Sequence, residues 1–268
     1  MISLNIYLHE LKVYRKSTIL WTLTLVLFLV GFMSMYPSFT NDVDGVKNLL
    51  NGFPEPIQKA IGLEIDQFFS VLGFFSYIFL YIKLCGAIQA MNIGIAIISK
   101  EVRDKTADFL LTKPVSRVRV LTAKLLAVLT SIVFTNVLFA ICAYFFISSI
   151  ATEPFSSRAF WMIASSLFFI QFIFLVLGIT VGVVAKKIKT VLPLTLGIVF
   201  TFFIINMFGS ASGDTLLRFL TPFQYVEPLF IARNETFEMP FILTGLLIST
   251  VCIASSYLIY IKKDIQSL

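Results

Sequence analysis

Residues 159–185 read AFWMIASSLFFIQFIFLVLGITVGVVA, a run without Asp, Glu, Lys or Arg, closed on either side by Arg158 and Lys186. At about 1.5 Å per helical residue it exceeds the ~30 Å hydrocarbon layer of a bilayer, so it predicts a membrane-crossing helix. Five more stretches, 19–36, 70–98, 122–149, 190–209 and 240–261, repeat the pattern. The rest of the composition agrees: 268 residues, 58% hydrophobic and 13% charged, with 29 Phe and a mean hydropathy of +0.92. A water-facing surface cannot cover that much apolar area, which excludes a soluble enzyme, a disordered tail and a disulfide scaffold. The expected fold is all-α and polytopic, one transmembrane domain over residues 1–268 with six transmembrane helices.

The net charge of +6 is sorted by side and not gathered on a nucleic-acid-binding face, so no nucleic acid is expected as a partner. Fifteen of the 21 Lys and Arg fall before span one, between spans two and three, after span four, or at the C-terminal end, and five fall in the alternate segments. By the positive-inside rule both termini are expected in the cytoplasm of a multi-pass cell-membrane protein. Ahead of span one, Leu4, Leu8 and Leu11 with Tyr7 and Tyr14 oppose Asn5, His9, Lys12 and Lys16. This pattern suits an N-terminal interfacial helix, or a helix that extends span one out of the bilayer. In the outer segment 37–69 the sequence predicts a turn at Asn41–Gly45 and short amphipathic helices broken at Pro54 and Pro56.

Several chemistries lack their parts. None of the 13 glycines precedes a lysine, so there is no phosphate-cradling Gly-x-x-x-x-Gly-Lys loop and the chain is not expected to hydrolyse ATP itself. With one histidine, His9, and three unpaired cysteines, Cys85, Cys142 and Cys252, no metal site or disulfide is expected. No acidic residue lies within a predicted span, which disfavours a proton pump. Lys83 lies deep within a span; it contacts an anionic substrate or a partner permease, or it snorkels or meets a neighbouring carbonyl. Gly178-Ile179-Thr180-Val181-Gly182 permits a close helix approach somewhere.

The loop between spans two and three, residues 99–121, concentrates charge around Leu110-Leu111 and breaks at Pro114. Exposed leucines framed by charges suit a docking element, since leucine burial supplies affinity and charge sets register. A solvated loop that only holds topology is the alternative. The residues Glu101, Lys105-Thr106, Leu110-Leu111-Thr112-Lys113-Pro114-Val115-Ser116-Arg117 and Lys124 resemble the first cytoplasmic loop of ABC-2 type exporter permeases, with lysine where that family usually has glycine. Thr221-Pro222-Phe223 in the last outer loop matches a further element of the family.

The resemblance implies a cytoplasmic coupling helix in which Glu101, Thr106, Leu110, Leu111, Pro114, Ser116 and Arg117 engage a separate ABC ATP-binding subunit. That subunit would bind ATP and Mg, and the permease would pair with a second copy or a related chain. The implied function is export of a hydrophobic or amphipathic substrate such as a peptide, antibiotic or lipid. A non-transporting scaffold or sensor that docks a cytoplasmic regulator, and a secondary transporter, are the alternatives.

Overall fold

The computed structural model describes residues 4–103, 116–185 and 188–262, without the side chains of Asp66 and residues 101–103. Among these the chain is helical throughout, with no strand. Six helices are long and apolar enough to cross a membrane. They are α1 (Leu4–Met33), α6 (Val71–Arg103), α7 (Arg117–Ile150), α8 (Ser157–Val184), α9 (Val191–Ser212) and α12 (Met239–Lys262). Four short helices follow α1 on the far side: α2 (Tyr36–Asn41), α3 (Val43–Asn51), α4 (Glu55–Ala60) and α5 (Ile65–Phe68). The last far-side loop holds α10 (Thr215–Leu220), a 3-10 turn over Pro222–Gln224, and α11 (Pro228–Asn234).

The residues ahead of span one do not form a separate element. Leu4–Met33 is one continuous helix of 30 residues, so the amphipathic stripe is its first turns. No proline or glycine stands between Leu4 and Val30 to break the backbone ladder. The chain does turn within Asn41–Gly45, at Asp42 between α2 and α3, and the same stretch starts a helix. Asp42 accepts a bond from the Gly45 amide at 3.0 Å and caps α3, which a residue with a short carboxylate does as readily as it forms a turn. Pro56 sits in the first turn of α4, where its missing N–H costs nothing.

The long helices share a common polarity of ends. Lys100 near the end of α6 lies 3.8 Å from Glu10 of α1, and Arg117 at the start of α7 donates to the Ile261 carbonyl of α12 at 3.0 Å. The starts of α1 and α7 and the ends of α6 and α12 therefore lie on one side, and α2–α5 lie on the other.

The spine of the bundle is the α6–α8 pair. A β-carbon at Gly94 would sit 2.5 Å from the Leu175 carbonyl oxygen, and one at Gly178 would sit 2.6 Å from that of Met91. The Gly178–Gly182 pattern thus has its partner within the chain, because only hydrogen at these positions lets the two backbones touch. Around this spine a buried polar chain crosses four helices. Thr22 donates to Thr135 at 3.0 Å, Gln89 to Thr135 at 3.1 Å, Gln171 to Gln89 at 3.1 Å and Asn136 to Gln171 at 2.5 Å. In a medium without water each amide needs a protein partner, and here each finds one on another helix.

Candidate functional site

On the side of the termini, the helices that flank the 99–121 loop are fastened before the loop begins. Lys124, seven residues into α7 and 1% exposed, donates to the Ile97 carbonyl of α6 at 2.7 Å. That bond gives a buried ammonium an acceptor on the neighbouring helix, six residues before the end of α6. Glu10 is buried against Lys100, Tyr7 and Thr130 share a hydroxyl bond at 3.1 Å, and Thr122 pairs with Tyr257 at 2.7 Å. Spans one, two, three and six are thus laced together at the mouth of the loop.

Of the residues expected to engage an ATP-binding subunit, Thr106, Leu110, Leu111 and Pro114 lie outside the described residues. Glu101 is placed in the last turn of α6, and its side chain is not described. Ser116 is exposed and stands at the N-terminal cap of α7, and Arg117 ties that cap to α12. The lysine of the sequence motif, Lys124, is buried and joins α7 to the Ile97 carbonyl of α6.

On the far side, the loop between α9 and α12 folds into the bundle. Thr221, Phe223 and Tyr225 are all buried. Pro222 fixes the first turn of a 3-10 segment, Thr221 donates to the Phe202 carbonyl at 2.9 Å, and Gln224 donates to the Asn206 carbonyl and to Ser210, each at 2.9 Å. The Phe223 ring is gripped by Phe174 at 5.0 Å and Phe203 at 5.6 Å between centroids. Tyr225 donates to the Phe219 carbonyl at 2.6 Å, and burial pushes its phenol up to about 12.

Lys83 is the pin of this arrangement. It is 1% exposed, and its ammonium donates to the carbonyls of Phe223 at 3.0 Å and Val226 at 2.9 Å. Of the readings open for Lys83 in the sequence, the structure displays the neighbouring-carbonyl geometry, with carbonyls from 140 and 143 residues away. Those partners belong to an apolar loop, so nothing in the local sequence around Lys83 announces them. The signal that does exist is the Pro222 break, which leaves carbonyls without helical donors.

Beside the pin, Glu227 is partly buried. Burial raises its pKa, and the Lys83 ammonium and then Arg218 pull it back. It borders a far-side cleft of about 390 Å³ lined also by Glu64, Arg218, Gln224, Arg233 and Glu238. Most of these charges are already spent on one another: Arg218 forks onto Glu238 at 3.3 and 2.5 Å, its guanidinium 4.1 Å from the Phe241 ring centre, and Arg233 pairs with Glu64. No local pattern in the sequence marks this lattice, because its members come from two loops far apart in the chain, Glu64 from the first far-side loop and the others from the last. Among the described residues no cluster of His, Cys, Asp or Glu could hold a metal ion.

These elements define a polytopic, all-α membrane protein with a fastened loop mouth on one side and a pinned, folded-in loop on the other. Residues 4–265 match the family described as ABC-2 family transporter protein. The chain belongs to that family and is a membrane permease component of an ABC transporter, a class that works with ABC ATP-binding partners. Among curated proteins no match is found.

Proposed function

We propose that this chain is the membrane half of an ATP-driven exporter. A separate nucleotide-binding subunit holds ATP and Mg and docks on the 99–121 loop from the cytoplasm, and its ATP hydrolysis drives a hydrophobic or amphipathic substrate (a peptide, antibiotic or lipid) out between this permease and a second copy or related permease. The observation that supports this reading most is the lacing of the loop's flanks: Lys124 to the end of α6, Arg117 to α12, and Glu10 to Lys100. A push on the loop is then delivered to four spans together, as transmission to a distant cavity requires. Both termini lie in the cytoplasm in this arrangement, in line with the basic bias of that side.

Glu101→Ala and Leu110→Ala test the proposal in the complex reconstituted with its co-purified ATP-binding subunit. Each is expected to lower substrate-stimulated ATP hydrolysis at least tenfold while the chain still inserts and elutes as the parent does. Stimulated turnover unchanged in both variants, or detergent purification that brings down no ATP-binding subunit, would reject it.

A further inference from the structure

Between α1 and α7 lies a groove of about 390 Å³, lined by Leu11, Lys12, Arg15, Thr18, Ile19, Thr130, Ser131 and Phe134. Two ties bracket it: Tyr7 to Thr130 on the side of the termini, and Thr22 to Thr135 deeper in the bundle. Between the ties the two helices leave a wedge open at the surface. The hydroxyls facing this wedge are already satisfied along their own helices: Thr18 by the Tyr14 carbonyl, Thr130 by Leu126 and Ser131 by Ala127. The wall is therefore apolar in effect, and it opens sideways past the exposed Ile19 and Phe134, which belong to stretches of bilayer-spanning hydropathy. At its outer end Lys12 and Arg15, three residues apart on one helical face, are exposed and have no acidic partner among the described residues.

We propose that this groove seats one acidic phospholipid of the leaflet that holds the N-terminus, its phosphate on Lys12 and Arg15 and an acyl chain along Ile19, Ser131 and Phe134. A soluble anion has no use for the apolar wall, and a zwitterionic lipid leaves the cation pair uncompensated. A volume near 390 Å³ lies within the range of small-molecule sites, and guanidinium with ammonium is a donor set for a phosphate monoanion.

Native mass spectrometry of the full chain released from mild detergent reads this directly, with phosphatidylglycerol and phosphatidylcholine of equal chain length as probes. Retention of the acidic lipid over the zwitterionic one is expected. Arg15→Gln and Lys12→Gln each lower that retention about fivefold, and Lys16→Gln, an exposed neighbour outside the groove, leaves it unchanged. Equal retention of the two lipids overturns the proposal. So does an equal loss in Lys16→Gln, which makes the effect diffuse surface charge, or displacement of the lipid by inorganic phosphate alone, which makes the acyl groove idle. Arg15→Gln and Lys12→Gln are independent reports on one cation pair, so a folding defect in one, seen as altered elution, leaves the other decisive.

Discussion

Lys83 occupies a position where hydrocarbon would otherwise surround a charge, and two main-chain carbonyls of a distant loop make that position tenable. Replacing it by Met keeps the length of the side chain and leaves both carbonyls without the donor that joins them to α6. We expect Lys83→Met to destabilise the folded chain by roughly 1–3 kcal/mol, the penalty of buried acceptors left unpaired offset by the relief of a buried charge. A lower thermal midpoint in detergent, with faster proteolysis between Arg218 and Arg233, is the measurement. Glu227 gives a pH signature. Its pKa is raised in the folded state chiefly by burial, so its contribution to stability is whole below the ordinary carboxylate range and is lost as pH rises through the raised value. The midpoint of the parent protein is therefore expected to fall relative to Glu227→Gln over the interval that runs from the ordinary carboxylate range up through the raised value. Parallel midpoints across that interval would show that the carboxyl is solvated in both states.

At the scale of elements, the α6–α8 contact depends on glycines that are irreplaceable for steric reasons and not for flexibility. A methyl at Gly178 would meet the Met91 backbone at 2.6 Å, whereas one at Gly197 or Gly31 has nothing within 4 Å. Gly178→Ala is expected to cost about 1–3 kcal/mol through forced separation of the helices, and Gly197→Ala is expected to be neutral, as judged by unfolding midpoints of the two variants. The six spans were legible in the sequence because hydropathy over twenty residues is a sum, insensitive to which face points where. The partner of Gly178–Gly182 was not, since small residues mark a close approach without naming the helix that makes it. The same holds for Lys83. A lysine in a span announces a partner, but the carbonyls that serve it become available only after Pro222 and the aromatic grip of Phe174 and Phe203 have turned the loop inward. At the loop mouth Lys124 stood in the motif itself, while Glu10, Tyr7 and Thr122 carry no local mark of their pairing.

At the scale of the whole molecule, burial is uneven. Spans two and four are enclosed by the others, while α9 and α12 turn most of their apolar surface outward, with Phe200, Ile204 and Phe208 on one and Leu243, Leu247, Val251 and Leu258 on the other. The shared side of the helix ends makes a topology prediction. In a chain freed of Cys85, Cys142 and Cys252, a cysteine at Lys189 is expected to react with a membrane-impermeant maleimide only after the cells are opened. One at Asp44 is expected to react in intact cells. Labelling of both from the same side would break the even count of spans.

The run of side-chain bonds from Thr22 through Thr135, Gln89 and Gln171 to Asn136 bears on how such a bundle can move. Pulling any of these four helices apart would strand amides in oil, so α1, α6, α7 and α8 are built to travel as one stator. Rearrangement then falls to α9, which meets that unit mainly through grease and can swing like a shutter against it, while α12 is roped to α8 through Thr180 and Ser256 at 3.0 Å and to α7 at the loop mouth.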